Sequence, residues 1–434
     1  MMKRNRIWIG ALALLMALPG SVNMVGCMKT GQPVQVKAAS ISESSTLDGW
    51  NIANEVTVKD AQTTYHAYLS EDGKAAWIYL AEITDKITKL NFPDELNGAA
   101  VTRLGYDPAL RKLEEADEFN QNIAGVTVEF AHGCDGANDK VIQITSVHLP
   151  EKLTTLEATA LSGLGKMKSI VIPDGVTKIN AETFYGCKSL QTVKLPKSME
   201  AFENYTSFAA CPKLSKVTLS RENKNFKMQN GMLLNKKGTK LIWALPKKKK
   251  IVVPDSVTTI AENALKSGNA TSVYLGKKVK KLEKSAIAGK KITKITLSKK
   301  NRALARQGQC IYERKSGRLV AAIAKKKVLK VGNKVKWING DASLCGSRRL
   351  KKLYLAASVK TLQGRWGEFY EAGYSTTKVY FYSKKPPKLI ENDDKNYCYL
   401  PIFADVYVPK ASLAKYKKWY RDNDALKFVT LKTF

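Results

Sequence analysis

The sequence predicts an α/β repeat solenoid: a curved parallel sheet of short strands, with irregular or helical return segments and two inserted hairpins. Three observations carry this reading. An apolar-x-apolar-Pro tetrapeptide recurs, each copy is followed at fixed distances by two further apolar residues, and consecutive copies lie 22 to 24 residues apart. That period corresponds to one turn of a stacked solenoid, because a short strand and its return cannot bury their apolar face alone.

The copies run in chain order. Val147-His148-Leu149-Pro150 is followed by Leu153 and Leu156, Ile170-Val171-Ile172-Pro173 by Val176 and Ile179, and Val193-Lys194-Leu195-Pro196 by Met199 and Phe202. The phase returns at Ile251-Val252-Val253-Pro254 with Val257 and Ile260. Looser copies follow at 273–276, 329–332 and 353–356, where Gly or Ala replaces the proline. The triplet has the two-residue period of a strand, and proline ends it because it has no N–H for the ladder. Five or six residues beyond the last apolar position stands another large one: Leu161, Phe184, Phe208, Leu265, Ile287 and Leu344. These mark the return segment folding over the strand. The spacing predicts one continuous sheet in which Val147, Ile170, Val193, Ile251, Val273, Leu329 and Leu353 align as a buried ladder.

A longer period lies over the short one. The block 219–254 matches 297–332 without a gap, the two starting 78 residues apart. Turn dipeptides between apolar runs make each block a hairpin inserted into the solenoid. Near the end, Leu413, Tyr416 and Tyr420 recur at helical spacing, which predicts a capping helix over 410–421.

The segment "IVIPDGVTKINAETFYGCKSLQTVKLP" resembles the BspA-like leucine-rich repeats of bacterial cell-surface proteins. Residues 68–105 also look like the family's opening unit, and the stretches 379–389 and 404–420 look like its terminal cap. The resemblance implies a curved leucine-rich-repeat sheet, and a surface or secreted binding module for which adhesion is proposed in some members.

Lys3, Arg4 and Arg6 precede an apolar run from Ile7 to Leu18, so residues 1–38 read as a signal peptide and the chain as exported. Two processing sites compete. Val36-Lys37-Ala38 precedes Ala39, while Met24-Val25-Gly26-Cys27 resembles a lipobox whose Cys27 would carry a lipid. The expected organisation is then a linker over 39–64, an acidic N-terminal capping region over 65–143, the solenoid over 144–409, and a C-terminal capping helix and tail over 410–434.

Charge divides the chain. Residues 40–143 hold 18 acidic and 8 basic side chains, whereas residues 144–434 hold 20 acidic and 59 basic. Basic runs fall just ahead of strands: Lys248, Lys249 and Lys250, then Lys290 and Lys291, then Lys325, Lys326 and Lys327, then Arg348, Arg349, Lys351 and Lys352. Stacked turns would gather them into a polyanion-binding edge. Two exposed ammonium groups ~5 Å apart repel by ~0.8 kcal/mol in water, a cost that an anionic partner relieves. The partners in view are an anionic wall polymer, an acidic glycan, or a host or matrix protein, while no nucleic-acid reading signature is present. Trp337, Tyr354, Trp366, Tyr380 and Tyr382 gather near the basic end, as strand packing or as a carbohydrate surface.

Catalytic patterns are missing. His66, His132 and His148 have no metal-ligand spacing, and no nucleophile elbow, phosphate loop or dinucleotide fingerprint occurs. Asp135–Lys140 fails the spacing of a calcium loop, and Glu114-Glu115 and Asp393-Asp394 are adjacent pairs that point apart. No cofactor or metal is expected, and the chain reads as a binding protein, with a structural envelope protein held by charge as the alternative. Cys187 and Cys211 occupy one repeat position and should stack, as two buried thiols or as a disulfide.

Overall fold

The computed structural model describes residues 23–27, 33–37, 46–105, 128–130, 143–363, 378–390, 404–423 and 430–434, less positions 48, 61, 84–86, 204, 267, 290, 325–326 and 346–349. It divides into two compact units, Met1–Lys224 and Asn225–Phe434, each built on its own ladders. Of the predicted leader, the described part is the antiparallel pair Asn23–Cys27 and Pro33–Lys37. His132, the Asp135–Lys140 stretch, the Glu114-Glu115 and Asp393-Asp394 pairs and Trp366 lie outside the described residues.

The first unit opens with an antiparallel meander of Trp50–Lys59, Thr63–Ser70 and Ala75–Ile83. Its aromatic core is Trp77, packed edge-on against Trp50 at 5.5 Å, with the Arg103 guanidinium 3.6 Å over its ring and its Nε1–H donating to Gly105 O. The meander then becomes solenoid: Ala99–Leu104 runs parallel to Ala75–Ile83, and Thr155–Leu156 runs parallel to Ala99–Leu104. Alternation of buried and exposed residues governs the repeats. Ser169–Val171, Thr192–Lys194 and Lys216–Thr218 form a parallel ladder in which Ile170, Val193 and Val217 are buried while Val171 is 60% exposed. Ser146–His148 pairs instead with Lys89–Asn91, leaving His148 outward and Val147 only half-buried against Leu90.

In the second unit, Lys250–Val252, Ser272–Leu275 and Lys294–Leu297 form one parallel ladder. Val328–Val331, Lys352–Leu355, Lys378–Phe381, Asp405–Val408 and Thr430–Thr433 form another. The predicted single sheet is therefore a set of shorter ladders. Between these two the chain runs through the antiparallel strands Leu304–Gln307, Cys310–Glu313 and Leu319–Ile323. An equivalent block, Phe226–Gln229, Met232–Asn235 and Lys240–Ala244, precedes the first ladder.

These blocks differ from hairpins inserted beside a solenoid. The third strand of each pairs in parallel with a return strand, Lys240–Ala244 with Thr259–Ile260 and Leu319–Ile323 with Ser343–Cys345. The register slips at matching positions, Leu233/Leu234 and Ile311/Tyr312. Each first turn is a two-residue loop with positive φ where the strand twist requires it, at Asn230 and Gly231 in one and at Gly308 in the other.

The α/β class narrows to a β-solenoid with little helix. Ahead of the C-terminal helix, the described return segments are two- and three-residue strands and turns, such as Lys178–Ile179 paired with Ala201–Phe202, with a 3-10 turn at Tyr205–Phe208. Their sequences lack the 3.6-residue apolar period, so one large side chain per turn points inward instead. Leu161, Phe184, Phe208, Leu265, Ile287 and Leu344 are all buried, and Phe184 stacks on Phe208 at 5.2 Å. Thr159, Glu182, Asn263 and Ser285 each stand three residues beyond a return strand with φ between 50° and 61°. Three of their N–H groups reach a neighbouring turn, Thr159 to Ala181 O, Asn263 to Lys284 O and Ser285 to Asp341 O.

Only one α-helix occurs among the described residues, Leu413–Arg421, following a 3-10 turn at Lys410–Ser412. It buries Tyr416 completely, with the ring against Phe381 and the hydroxyl donating to Ser383 O at 3.0 Å. The tail after it, Thr430–Thr433, is a fifth rung of the ladder, so the helix is the return segment between two strands. Cys187 and Cys211 are buried free thiols whose Sγ atoms lie 3.2 Å from Leu161 O and 3.0 Å from Phe184 O. Cys211 beside it and burial together push the Cys187 thiol well above its ordinary value.

Candidate binding face

The middle residue of each apolar-x-apolar triplet points away from the core, so the ladders set out an exposed column one residue wide. In the shorter ladder of the second unit that column is Val252, Tyr274 and Thr296, beside Lys250, Ser272 and Lys294. In the longer ladder it is Lys330, Tyr354, Tyr380, Tyr407 and Lys432, beside Val328, Lys352, Lys378, Asp405 and Thr430. Adjacent lysines such as Lys352 and Lys378 repel by ~0.8 kcal/mol at ~5 Å in water. Burying Leu353 and Val379 between the same strands stabilises by about 1.5–3 kcal/mol each, so packing decides the register and charge follows it.

All the lysines that the sequence groups ahead of strands belong to the second unit, but they occupy more than one position there. Lys249, Thr271 and Thr293 are equivalent, the Thr271 N–H donating to Lys249 O and the Thr293 N–H to Thr271 O. Lys327 and Lys351 are equivalent in the same way, Lys351 N–H donating to Lys327 O at 2.8 Å. Lys291 reaches Asn269 Oδ1 at 2.6 Å, one position set further back. Lys249, Lys250, Lys291, Lys327, Lys351 and Lys352 are exposed and Lys248 is half-buried. Lys290, Lys325, Lys326, Arg348 and Arg349 lie outside the described residues, as does the side chain of Cys27. Among the described residues, Lys248, Lys249, Lys250, Lys327 and Lys352 have no carboxylate partner, whereas Lys277 and Lys240 are paired with Asp255 and Glu283.

The aromatic cluster separates. Trp337 belongs to the return ladder, in register with Thr361 and Lys388. Tyr354, Tyr380 and Tyr382 come together on the outer face and are joined by Tyr407 and Phe434. Sequence reasoning passed over Tyr407, although Val406-Tyr407-Val408-Pro409 carries the repeat signature in full. Tyr354, Tyr380 and Tyr407 stack at centroid separations of 4.6 Å, with planes 12° and 15° apart. Partial desolvation raises the Tyr380 phenol above its ordinary value; Lys378 opposes this, and the flanking tyrosines add to it. At neutral pH the phenol is therefore a protonated donor.

Among the described residues no group of three or more His, Cys, Asp and Glu side chains gathers so as to hold a metal ion. No helix among them is long and apolar enough to cross a membrane.

The chain is similar in structure to a leucine-rich repeat protein from Eubacterium ventriosum, at 13% identity over 88% of this chain and 96% of that one, with a TM-score of 0.39. It is similar to a leucine rich cell surface protein from Faecalibacterium prausnitzii, at 12% identity over 76% and 95% of the two chains, TM-score 0.36. Against the pneumococcal vaccine antigen PcpA the identity is 13%, the coverage 87% and 99%, and the TM-score 0.40. No protein of curated function matches in sequence. Residues 137–242 and 244–308 match the BspA type leucine rich repeat region, with six copies. Those residues therefore carry a BspA type leucine rich repeat region.

Proposed function

We propose that this is an exported surface or secreted binding protein that engages an anionic polymer through the lysine-rich edge of its second unit. The observation that carries the reading is the concentration of charge: Asn225–Phe434 holds 48 basic and 13 acidic residues, a net of +35. Export is supported by the basic start and apolar run of residues 1–38, with release before Ala39 or lipidation at Cys27. A BspA-type repeat region supports a binding role, since a solenoid presents long rows of side chains to solvent. Binding, without chemistry on the ligand, also accords with the lack of any nucleophile, acid-base or phosphate-loop pattern in the sequence.

Exchanging Lys248, Lys249, Lys326, Lys327, Lys351 and Lys352 for Gln tests this. Gln keeps length and polarity, so the folded chain should persist. Retention on heparin should weaken, and the slope of log affinity against log salt should shrink, because fewer condensed counterions are released per binding event. A folded variant with unchanged retention and slope would leave these lysines as ordinary solvated turns.

A further inference from the structure

The longer ladder of the second unit lies beyond the residues that match the family repeat, and its outer face has a chemistry of its own. Three tyrosines on successive strands spend their ring faces on one another. Lysines flank the row, with Lys330 Nζ 5.8 Å from the Tyr354 centroid and Lys378 Nζ 5.6 Å from that of Tyr407. Because the rings stack along the ladder and side chains stand perpendicular to a sheet, what projects outward is ring edges and hydroxyls. Aromatic edges are the positive part of the ring quadrupole. None of the hydrogen bonds among the described residues uses the three hydroxyls. The one acid in these columns, Asp405, is already paired with Lys432 at 2.9 Å.

Such a surface selects its ligand. Single-stranded nucleic acid binds by laying bases on open aromatic faces, and here the faces are covered. A purely charged polymer would use the lysines and leave the phenols idle. An acceptor-rich chain with hydroxyls and carboxylates matches phenol donors, ring edges and flanking ammonium groups together, and the half-exposed rings of Tyr382 and Phe434 beside the row offer apolar contact for sugar C–H groups. We propose that the outer face carried by Tyr354, Tyr380 and Tyr407, flanked by Lys330, Lys352 and Lys378, is a binding site for a linear acidic glycan lying along the ladder. This deepens the polymer-binding reading above and rests on it for the class of partner, but apart from Lys352 it uses a different set of side chains.

The test uses the full chain and the triple variant Tyr354→Phe, Tyr380→Phe, Tyr407→Phe, which keeps the stacked rings and removes the hydroxyls. The probes are a linear polyuronate, the same polymer after reduction of its carboxylates, inorganic polyphosphate and oligothymidylate. The triple variant should melt with the parent, lose on the order of 10–100-fold in polyuronate affinity, and bind polyphosphate unchanged. The reduced polymer should bind the parent at least tenfold more weakly than the polyuronate. Equal polyuronate binding by parent and variant would overturn the proposal, as would equal binding of the reduced polymer, or a loss confined to oligothymidylate. Failure of the lysine-edge reading shows separately, as polyphosphate retention that the lysine-to-glutamine variant does not change.

Discussion

The two units share one repeat chemistry and differ in almost everything that chemistry leaves free. Met1–Lys224 carries 24 basic and 25 acidic residues, a net of −1, against +35 for Asn225–Phe434. Inward the columns are interchangeable: Ile170, Val193 and Val217 in one, Ile251, Val273 and Ile295 in the other, all buried. Outward, Val171, Lys194 and Thr218 give way to Lys330, Tyr354, Tyr380 and Tyr407. Burial fixes one alternate set of residues and solvent tolerates the other. The outer column is thus where two stretches of one repeat can acquire different partners.

If burial alone sets the inner columns, equivalent truncations should cost the same in both units despite the charge difference. Leu195 and Leu355 hold the third position of the apolar-x-apolar triplet, at 2% and 0% exposure. Leu195→Ala and Leu355→Ala should each destabilise by about 2–5 kcal/mol, the range for an incompletely collapsing core cavity. Denaturant unfolding measures both. A clearly smaller loss for Leu355→Ala that grows when salt is added would show that self-repulsion already loosens the basic unit, and would break the equivalence.

Much of this was legible from side chains whose signal repeats. The two-residue alternation and the proline stop located Ile170, Val193, Ile251, Val273, Leu329 and Leu353 as ladder residues, because burial at period two leaves a direct trace in composition. The single large residue of each return was legible too, from Leu161 to Leu344. The return conformation was not, since Thr159 and Glu182 adopt left-handed backbone without the glycine that usually announces it. Thr430–Thr433 was read as a tail because its sequence carries neither proline nor two buried positions, and its pairing is set by Asp405–Val408. On the candidate site, the lysine runs were visible as runs, but only the rung-to-rung register shows that threonines stand between Lys249 and the rungs above it.

A second comparison sharpens the duplicated blocks. Asn223 and Asn301 stand 78 residues apart, at 1% and 2% exposure, one in each unit. Asn223 Nδ2 donates to Lys197 O and Met199 O, and Asn301 Nδ2 donates to Gly276 O and Val279 O, so both satisfy carbonyls of the preceding turn. Asn301 Oδ1 also accepts from Ala303 and Leu304 N–H at the start of the antiparallel block. Replacement of either by Ala strands buried polar groups and should cost about 1–3 kcal/mol. Replacement by Asp should be worse, because a carboxylate cannot donate to those carbonyls. If Asn223→Asp is neutral while Asn301→Asp is not, the two blocks are not equivalent at this corner.

The smallest expected effect separates the units by pH. In the first, His66 Nδ1 lies 2.5 Å from Glu55 Oε1, and that hydrogen bond holds the carboxyl below its ordinary value of 4.5 in spite of the burial opposing it. In the second, burial pushes Glu313 upward but the Arg318 guanidinium, 2.5 Å away, and the Ser316 hydroxyl together more than offset this and the carboxyl again ends low. A carboxyl whose folded value lies below its unfolded one binds fewer protons folded than unfolded. Its stabilisation is therefore full above 4.5 and is lost as pH falls through the lowered folded value. For partly solvated pairs the contribution is about 0.5–1 kcal/mol. Glu55→Gln should lower stability by that amount in the neutral region and converge on the parent below the lowered folded value, so that the acid limb flattens, as should Glu313→Gln. The two carboxylates differ in what faces them: a histidine can give up its proton and an arginine cannot. Replacing His66 by Phe removes the hydrogen bond that holds Glu55 low, so the Glu55 carboxyl should move up while Glu313 stays put, and an equal rise in both, read by the chemical shift of each carboxylate, would contradict that assignment.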